Sequence, residues 1–124
     1  MEITHRAYAD VVVVAPAGRL DHTVAEDFER SLMPLLDPAA GGGAGLVLDF
    51  SRVDYISSVG LRVLMLASKQ AKAQGCALAV CGLQAVVREI FEISRFNLVL
   101  QVFPSLREAL AALSTEALAA FGTA

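Results

Sequence analysis

Apolar residues fall along this chain in short blocks, and the spacing within each block predicts an element. Ile3 to Tyr8 reads as an edge strand, and Asp10 to Ala15 carries four consecutive valines, the pattern of a strand buried on both faces. Ala25, Phe28, Leu32 and Leu35 then recur at helical spacing, with Asp21 placed as the N-cap. Pro38 and the run Gly41 to Gly45 break the pattern as a flexible connector. Glycine-rich loops can cradle phosphate, but here no Lys-Ser or Lys-Thr follows, and a strand comes next instead of a helix.

Leu46 to Phe50 is that strand. A helix runs from about Ser58 to Gln74 and stops at Gly75, and Cys76 to Cys81 reads as a further strand. Val86, Val87, Ile90 and Phe91 give Leu83 to Ile93 helical periodicity. Leu98 to Phe103 is a short strand, and Pro104-Ser105 opens a last helix through Leu106, Ala109, Leu110 and Leu113. The order β-β-α-β-α-β-α-β-α predicts an α/β fold: a mixed, largely parallel sheet of four to five strands covered by about four helices. One domain is expected over 1–124, with its core at about 3–113 and an alanine-rich tail at 114–124 that frays.

The long central helix has an unusual surface. At 100° per residue, Gly60, Leu61, Leu64, Ala67, Ser68 and Ala71 gather on one side, predicted to face the sheet. Ser58, Arg62, Met65, Leu66 and Lys69 gather on the other. Apolar residues between charged ones mark either a partner surface or a face covered by another helix.

Composition narrows the function. The 124 residues are 56% hydrophobic and 19% charged, which suits a folded chain. Mean hydropathy is high at +0.58, yet no apolar run approaches the roughly 18 residues of a membrane span, so no direct membrane insertion is expected. Residues 1–10 lack the build of a secretory signal, and a cytoplasmic location follows as the default. A net charge of −3 argues against nucleic acid as a partner. Cys76 and Cys81 are read as small buried residues pointing to opposite sides of the sheet. Neither they nor His5 and His22 have the spacing of a metal site, and no cofactor is implied.

The chemistry concentrates at Ser57 and Ser58. A hydroxyl at a helix start is either a cap or a place for a phosphate, because unpaired amides and the helix dipole favour an anion there. Phosphorylation of Ser58 would add roughly −1.5 to −2 charges with little rearrangement of the fold. A hydrolase is a poor reading of Ser58, His22 and Asp21. Ile-Ser-Ser-Val-Gly is not the Gly-x-Ser-x-Gly elbow, and adjacent Asp21 and His22 cannot readily line up behind a serine.

Gly18-Arg19-Leu20-Asp21 after the valine strand, then Val53-Asp54-Tyr55-Ile56-Ser57-Ser58-Val59-Gly60-Leu61, resembles the STAS domain of bacterial anti-sigma factor antagonists. The likeness continues through Ala79 to Gly82, Val86 to Phe91 and the Ser94 turn. The resemblance implies a non-enzymatic regulator. In that family an anti-sigma factor that is also a serine kinase phosphorylates a serine at the start of the second helix. The unphosphorylated antagonist binds the anti-sigma factor, and a metal-dependent serine phosphatase restores that form. Carried over, Ser58 is the phosphoacceptor, with Ser57 the second choice. Asp21, Ser57, Val59, Arg62, Met65, Leu66 and Lys69 form the expected partner-binding surface. Many members have an acidic residue before the acceptor and a serine or threonine after it, where this chain has Ser57 and Val59. A second reading keeps STAS binding without phosphorylation, as a subunit of a transport or stress-sensing complex.

Overall fold

The computed structural model describes residues 1–40 and 43–122. Its first strand, β1 (Glu2–Tyr8), pairs antiparallel with β2 (Val11–Leu20) across a tight turn at Ala9 and Asp10. Strands β3 (Gly45–Asp49), β4 (Val53–Ile56), β5 (Leu78–Cys81) and β6 (Gln101–Phe103) all run parallel to their neighbours. The sheet order is β1-β2-β3-β5-β6, and β4 pairs with the far end of β2. Long β2 therefore serves two partners: Val11–Val14 pair with β3, and Gly18–Leu20 pair with β4 after a register shift at Gly18/Arg19. The α/β class and the mixed, mostly parallel sheet agree with the sequence pattern. β4 is an addition, because Val53–Ile56 lies in what reads as a polar turn.

Alternation along the strands builds two cores. Val12, Val14, Leu46, Leu48 and Val80 point to one face, which is covered by α1 (Ala25–Leu32), α2 (Ser58–Gln74) and α3 (Ala85–Ile93). Val11, Val13, Val47 and Cys81 point to the other, covered by α4 (Leu106–Leu113) and α5 (Thr115–Gly122). Cys76 and Cys81 are buried and unbridged, and belong to different cores as expected, although Cys76 precedes the strand proper. Burial pushes both thiols up, Cys81 to about 12 with help from the nearby Asp49 carboxylate.

Several boundaries differ from the sequence expectation. α1 ends at Leu32, and Leu35 sits instead in a 3-10 turn, Met33–Leu36, which accommodates Pro34. β6 starts at Gln101, because Phe96–Leu98 form another 3-10 turn after the left-handed Arg95. The expected glycine connector falls partly on Gly41 and Gly42, which lie outside the described residues. Gly45 already belongs to β3: a Cβ there would stand 2.7 Å from the Ala77 carbonyl oxygen, so close strand approach requires glycine.

The tail does not fray over Thr115–Gly122. It forms α5, with Ala117 fully buried and the Phe121 ring edge-on to Tyr8 at 5.4 Å. Ser114 Oγ donates to Asp10 Oδ1 at 2.6 Å and accepts from the Ala117 amide, tying this helix to the first hairpin. Burial of alanine and one phenylalanine against β1 supplies what weak helix-forming length alone would not.

Candidate functional site

The end of β2 and the end of β4 lie side by side, and together they set where α2 begins. Leu20 pairs with Ile56, and the Leu20 carbonyl accepts from the Ser57 amide at 2.9 Å. That bond holds Ser57 in extended geometry, and the helix starts one residue later. Ser57 Oγ then accepts from the Gly60 amide at 3.2 Å, which makes Ser57 the N-cap. Gly60 is buried at this junction: a Cβ would meet Ile56 Cγ1 and the Leu20 oxygen, both at 2.8 Å. Only glycine lets α2 sit this close to the strand ends.

With Ser57 committed to the cap, Ser58 is left over. It occupies the first helical position, is exposed, and its hydroxyl makes no hydrogen bond among the described residues. The amides of Ser58 and Val59 likewise have no protein acceptor among the described residues, and the first turn of α2 carries no acidic side chain. An exposed hydroxyl thus stands at an uncompensated positive helix end.

Asp21 lies next to Leu20 at the same corner, but it does not cap α1. The N-cap position is Val24, without a side-chain cap. Asp21 Oδ1 instead accepts from the Thr23 amide at 3.0 Å and the Thr23 hydroxyl at 2.6 Å, an Asx-type turn that precedes the helix. These Thr23 bonds are the main cause holding the Asp21 carboxyl below its ordinary range, with smaller help from His22 and Arg19. Arg19 approaches Asp21 at 3.9 Å while its guanidinium lies 4.3 Å over the Tyr55 ring.

Among the described residues, two grooves flank the N-terminal half of α2. One, about 420 Å³, runs between α1 and α2 and is lined by His22, Glu26, Glu29, Val59, Arg62 and Leu66. The other, about 370 Å³, lies towards α3 and is lined by Tyr55, Ile56, Ser58, Leu61, Ile90 and Ile93. Ser58 and His22 therefore line different grooves, and the Asp21 oxygen that would orient an imidazole is taken by Thr23.

Of the partner-surface residues named from sequence, Ser58, Val59, Arg62, Leu66 and Lys69 are exposed on α2. Val59 and Leu66 keep 42% and 40% of their surface in water, so no second helix covers them. Met65 departs from the expectation: it is half-buried and packs on the first core. Leu61, assigned to the sheet side, is also only half-buried and opens onto the α3 groove, while Val63 takes a buried place. Ile90 and Ile93 were not named beforehand as surface residues. Their i, i+3 spacing on α3 was the available signal.

Among the described residues there is no cluster of three or more metal-ligating side chains, and no helix is long and apolar enough to cross a membrane.

A mixed sheet with a serine-capped helix springing from the β2/β4 corner, bearing a second, unengaged serine, defines the class. The STAS domain family pattern matches residues 2–109, and the chain belongs to that family. It is 39% identical over 114 residues, 90% of this chain and 93% of the relative, to BtrV of Bordetella bronchiseptica, which its name assigns to the anti-sigma factor antagonists. The fold is shared with an anti-sigma factor antagonist from Mycobacterium paratuberculosis (TM-score 0.79, 21% identity, 90% of this chain and 92% of that one). It is also shared with the Bacillus cell-fate determinant SpoIIAA in its phosphorylated form (TM-score 0.67, 16% identity, 91% of this chain and all of that one).

Proposed function

We propose that this chain is an anti-sigma factor antagonist switched by phosphorylation of Ser58. The observation that carries the reading is the division of labour between neighbouring serines: Ser57 is spent on the cap, and Ser58 is exposed with nothing to hold. In its unmodified state the chain binds an anti-sigma factor that is also a serine kinase, using α2 and the Asp21 corner. Phosphate transfer to Ser58 Oγ places a dianion in that contact, and a serine phosphatase removes it. The chain supplies the acceptor and its partner the catalysis, in the cytoplasm where the sigma factor works. The relationship to BtrV supports the antagonist role, and SpoIIAA shows that a STAS fold of this kind takes a phosphate.

The test is incubation of the purified chain with the source organism's anti-sigma kinases and ATP, read by intact mass. One phosphate is expected, lost in Ser58→Ala and retained in Ser57→Ala. Ser58→Asp should weaken calorimetric affinity for the anti-sigma factor by at least about tenfold, since a charge enters the contact. Met65→Glu should weaken it too, with any loss of stability measured separately because Met65 also touches the core. Absence of phosphate with every candidate kinase would overturn the switch. The serine in place of the usual preceding carboxylate is the observation that favours the second reading, a STAS subunit that binds without being phosphorylated.

A further inference from the structure

The sheet is finished differently at its two ends. β6 is an edge strand of three residues, too short to offer another chain much backbone. β1, at the opposite end, is seven residues long and pairs with β2 without a register shift. Thr4, His5, Arg6 and Ala7 are all exposed. Proline, lysine, a bulge or short length usually blunts such an edge, and β1 has none of them.

The hairpin decides which backbone groups that edge presents. A loop of Ala9 and Asp10 closes on the Tyr8/Val11 pair, which in a two-residue hairpin is hydrogen-bonded. Alternation then commits the backbone of Glu2, Thr4, Arg6 and Tyr8 to β2, and turns the N–H and C=O of Ile3, His5 and Ala7 outward. Two observations on β2 agree with this phase. Pro16, which has no N–H to give, stands opposite Ile3, and the Gly18 amide donates away from β1, to the Arg52 carbonyl at 2.9 Å. Side chains alternate too, so Glu2 and Arg6 share a face with Thr4 midway between them. Arg6 Nη1 donates to the Tyr8 hydroxyl at 3.3 Å but has no ion-pair partner among the described residues. Glu2 reaches Arg52 at 3.4 Å, with both side chains still mostly in water.

We propose that a second copy of this chain adds to β1 along this edge, antiparallel and about a two-fold axis at Thr4. Ile3 and His5 of each copy then exchange main-chain hydrogen bonds with His5 and Ile3 of the other. Glu2 of each copy stands opposite Arg6 of the other, at non-hydrogen-bonded positions where side chains across an antiparallel pair come closest. Charge selects this register. The adjacent symmetric registers that keep the backbone bonds place Arg6 or Glu2 opposite Thr4, and the ones beyond set Arg6 against Arg6 or Glu2 against Glu2. The pairing is isologous and closes after two copies. β4 lies on the side of β2 away from β1, so Ser58, which follows it, stays off the joint, and the inference stands independently of the Ser58 switch. Seven strand residues a side make a small interface, for which a dissociation constant on the order of 0.1 mM is expected.

The test is sedimentation velocity on the purified chain from about 0.01 to about 1 mM, with each variant first matched to the parent by circular dichroism. The parent should pass from monomer to dimer across that range. His5→Pro removes an outward N–H that β2 does not use, and should stay monomeric throughout. Arg6→Glu sets two carboxylates against each other and should weaken the dimer about tenfold, whereas adding Glu2→Arg should restore it to within about twofold of the parent. Thr4→Cys should link two copies on mild oxidation, because the axis brings that position against itself. Ala7→Cys should not, since its two copies would lie roughly 20 Å apart along the strands. A parent still monomeric at about 1 mM, or a dimer that survives His5→Pro, overturns the pairing. A double charge exchange that fails to rescue, or equal linking of the two cysteine variants, overturns the register on which it rests. Phosphate uptake at Ser58 is read separately by mass, so either reading can fail without the other.

Discussion

Among the described residues three helices open on a serine cap, α2 on Ser57, α4 on Ser105 and α5 on Ser114, and of the first two only α2 has anything to spare. At α4, Ser105 Oγ accepts from the Glu108 amide at 3.2 Å. The next residue, Leu106, packs on the second core, and Glu108 brings a carboxylate into the first turn. At α2, Ser57 does the same for the Gly60 amide at the same 3.2 Å. There the next residue is an exposed serine, and no acid follows in the first turn. The α4 start is locally complete: its amides are capped, its first side chain is anchored and its dipole is offset. The α2 start has the cap without the other two, so it keeps a hydroxyl and a positive end available to an incoming anion.

The third position separates them most sharply. Exposed Glu108 tolerates change, whereas Gly60 touches Ile56 and the Leu20 carbonyl. Gly60→Ala, which in an open helix would gain about 0.5–1 kcal/mol, should here cost about 1–3 kcal/mol, seen as an earlier urea midpoint. A stabilised variant would mean that α2 can lift from the β2/β4 corner.

Next in size are the caps. Ser57→Ala and Ser105→Ala should each cost about 1 kcal/mol in the same unfolding assay. If only Ser105→Ala does, Ser57 is not structural and the roles of the two serines need to be exchanged. Smaller again is Val59→Glu, which gives α2 the acid that α4 already has. It should add about 0.3–1 kcal/mol of stability at low salt, and most of that gain should vanish in high salt. Smallest is Ser58→Ala, which should change stability by less than about 0.5 kcal/mol while removing the phosphate found by mass.

Much of this was legible in the residues. Alternating burial along Val11–Val14 and Leu46–Leu48 follows from β-branched and aliphatic runs, and Gly75, at positive φ, ends α2 where the pattern stops. β4 was hidden because only Val53 and Ile56 are buried, with exposed Asp54 between them, and its pairing depends on the distant end of β2. α5 was hidden because its stability comes from burial against Tyr8 and α4 and not from its own short helix-forming length. The serine pair could be located but not divided. Which hydroxyl caps is decided where the backbone leaves extended geometry, and the Leu20 carbonyl sets that point from another strand. Ile93 escaped notice for the same reason: an apolar helix residue reads as core until the neighbouring element is seen to stop short of it.

The two cysteines, one in each core, give the molecule a pair of internal gauges. Because both sulfurs are buried, a neutral-pH alkylating reagent should modify them faster when the local structure opens. Cys76 then times the breathing of the α1–α3 side and Cys81 that of the α4–α5 side. A partner docked on α2 should slow the first clock and leave the second running at its own rate.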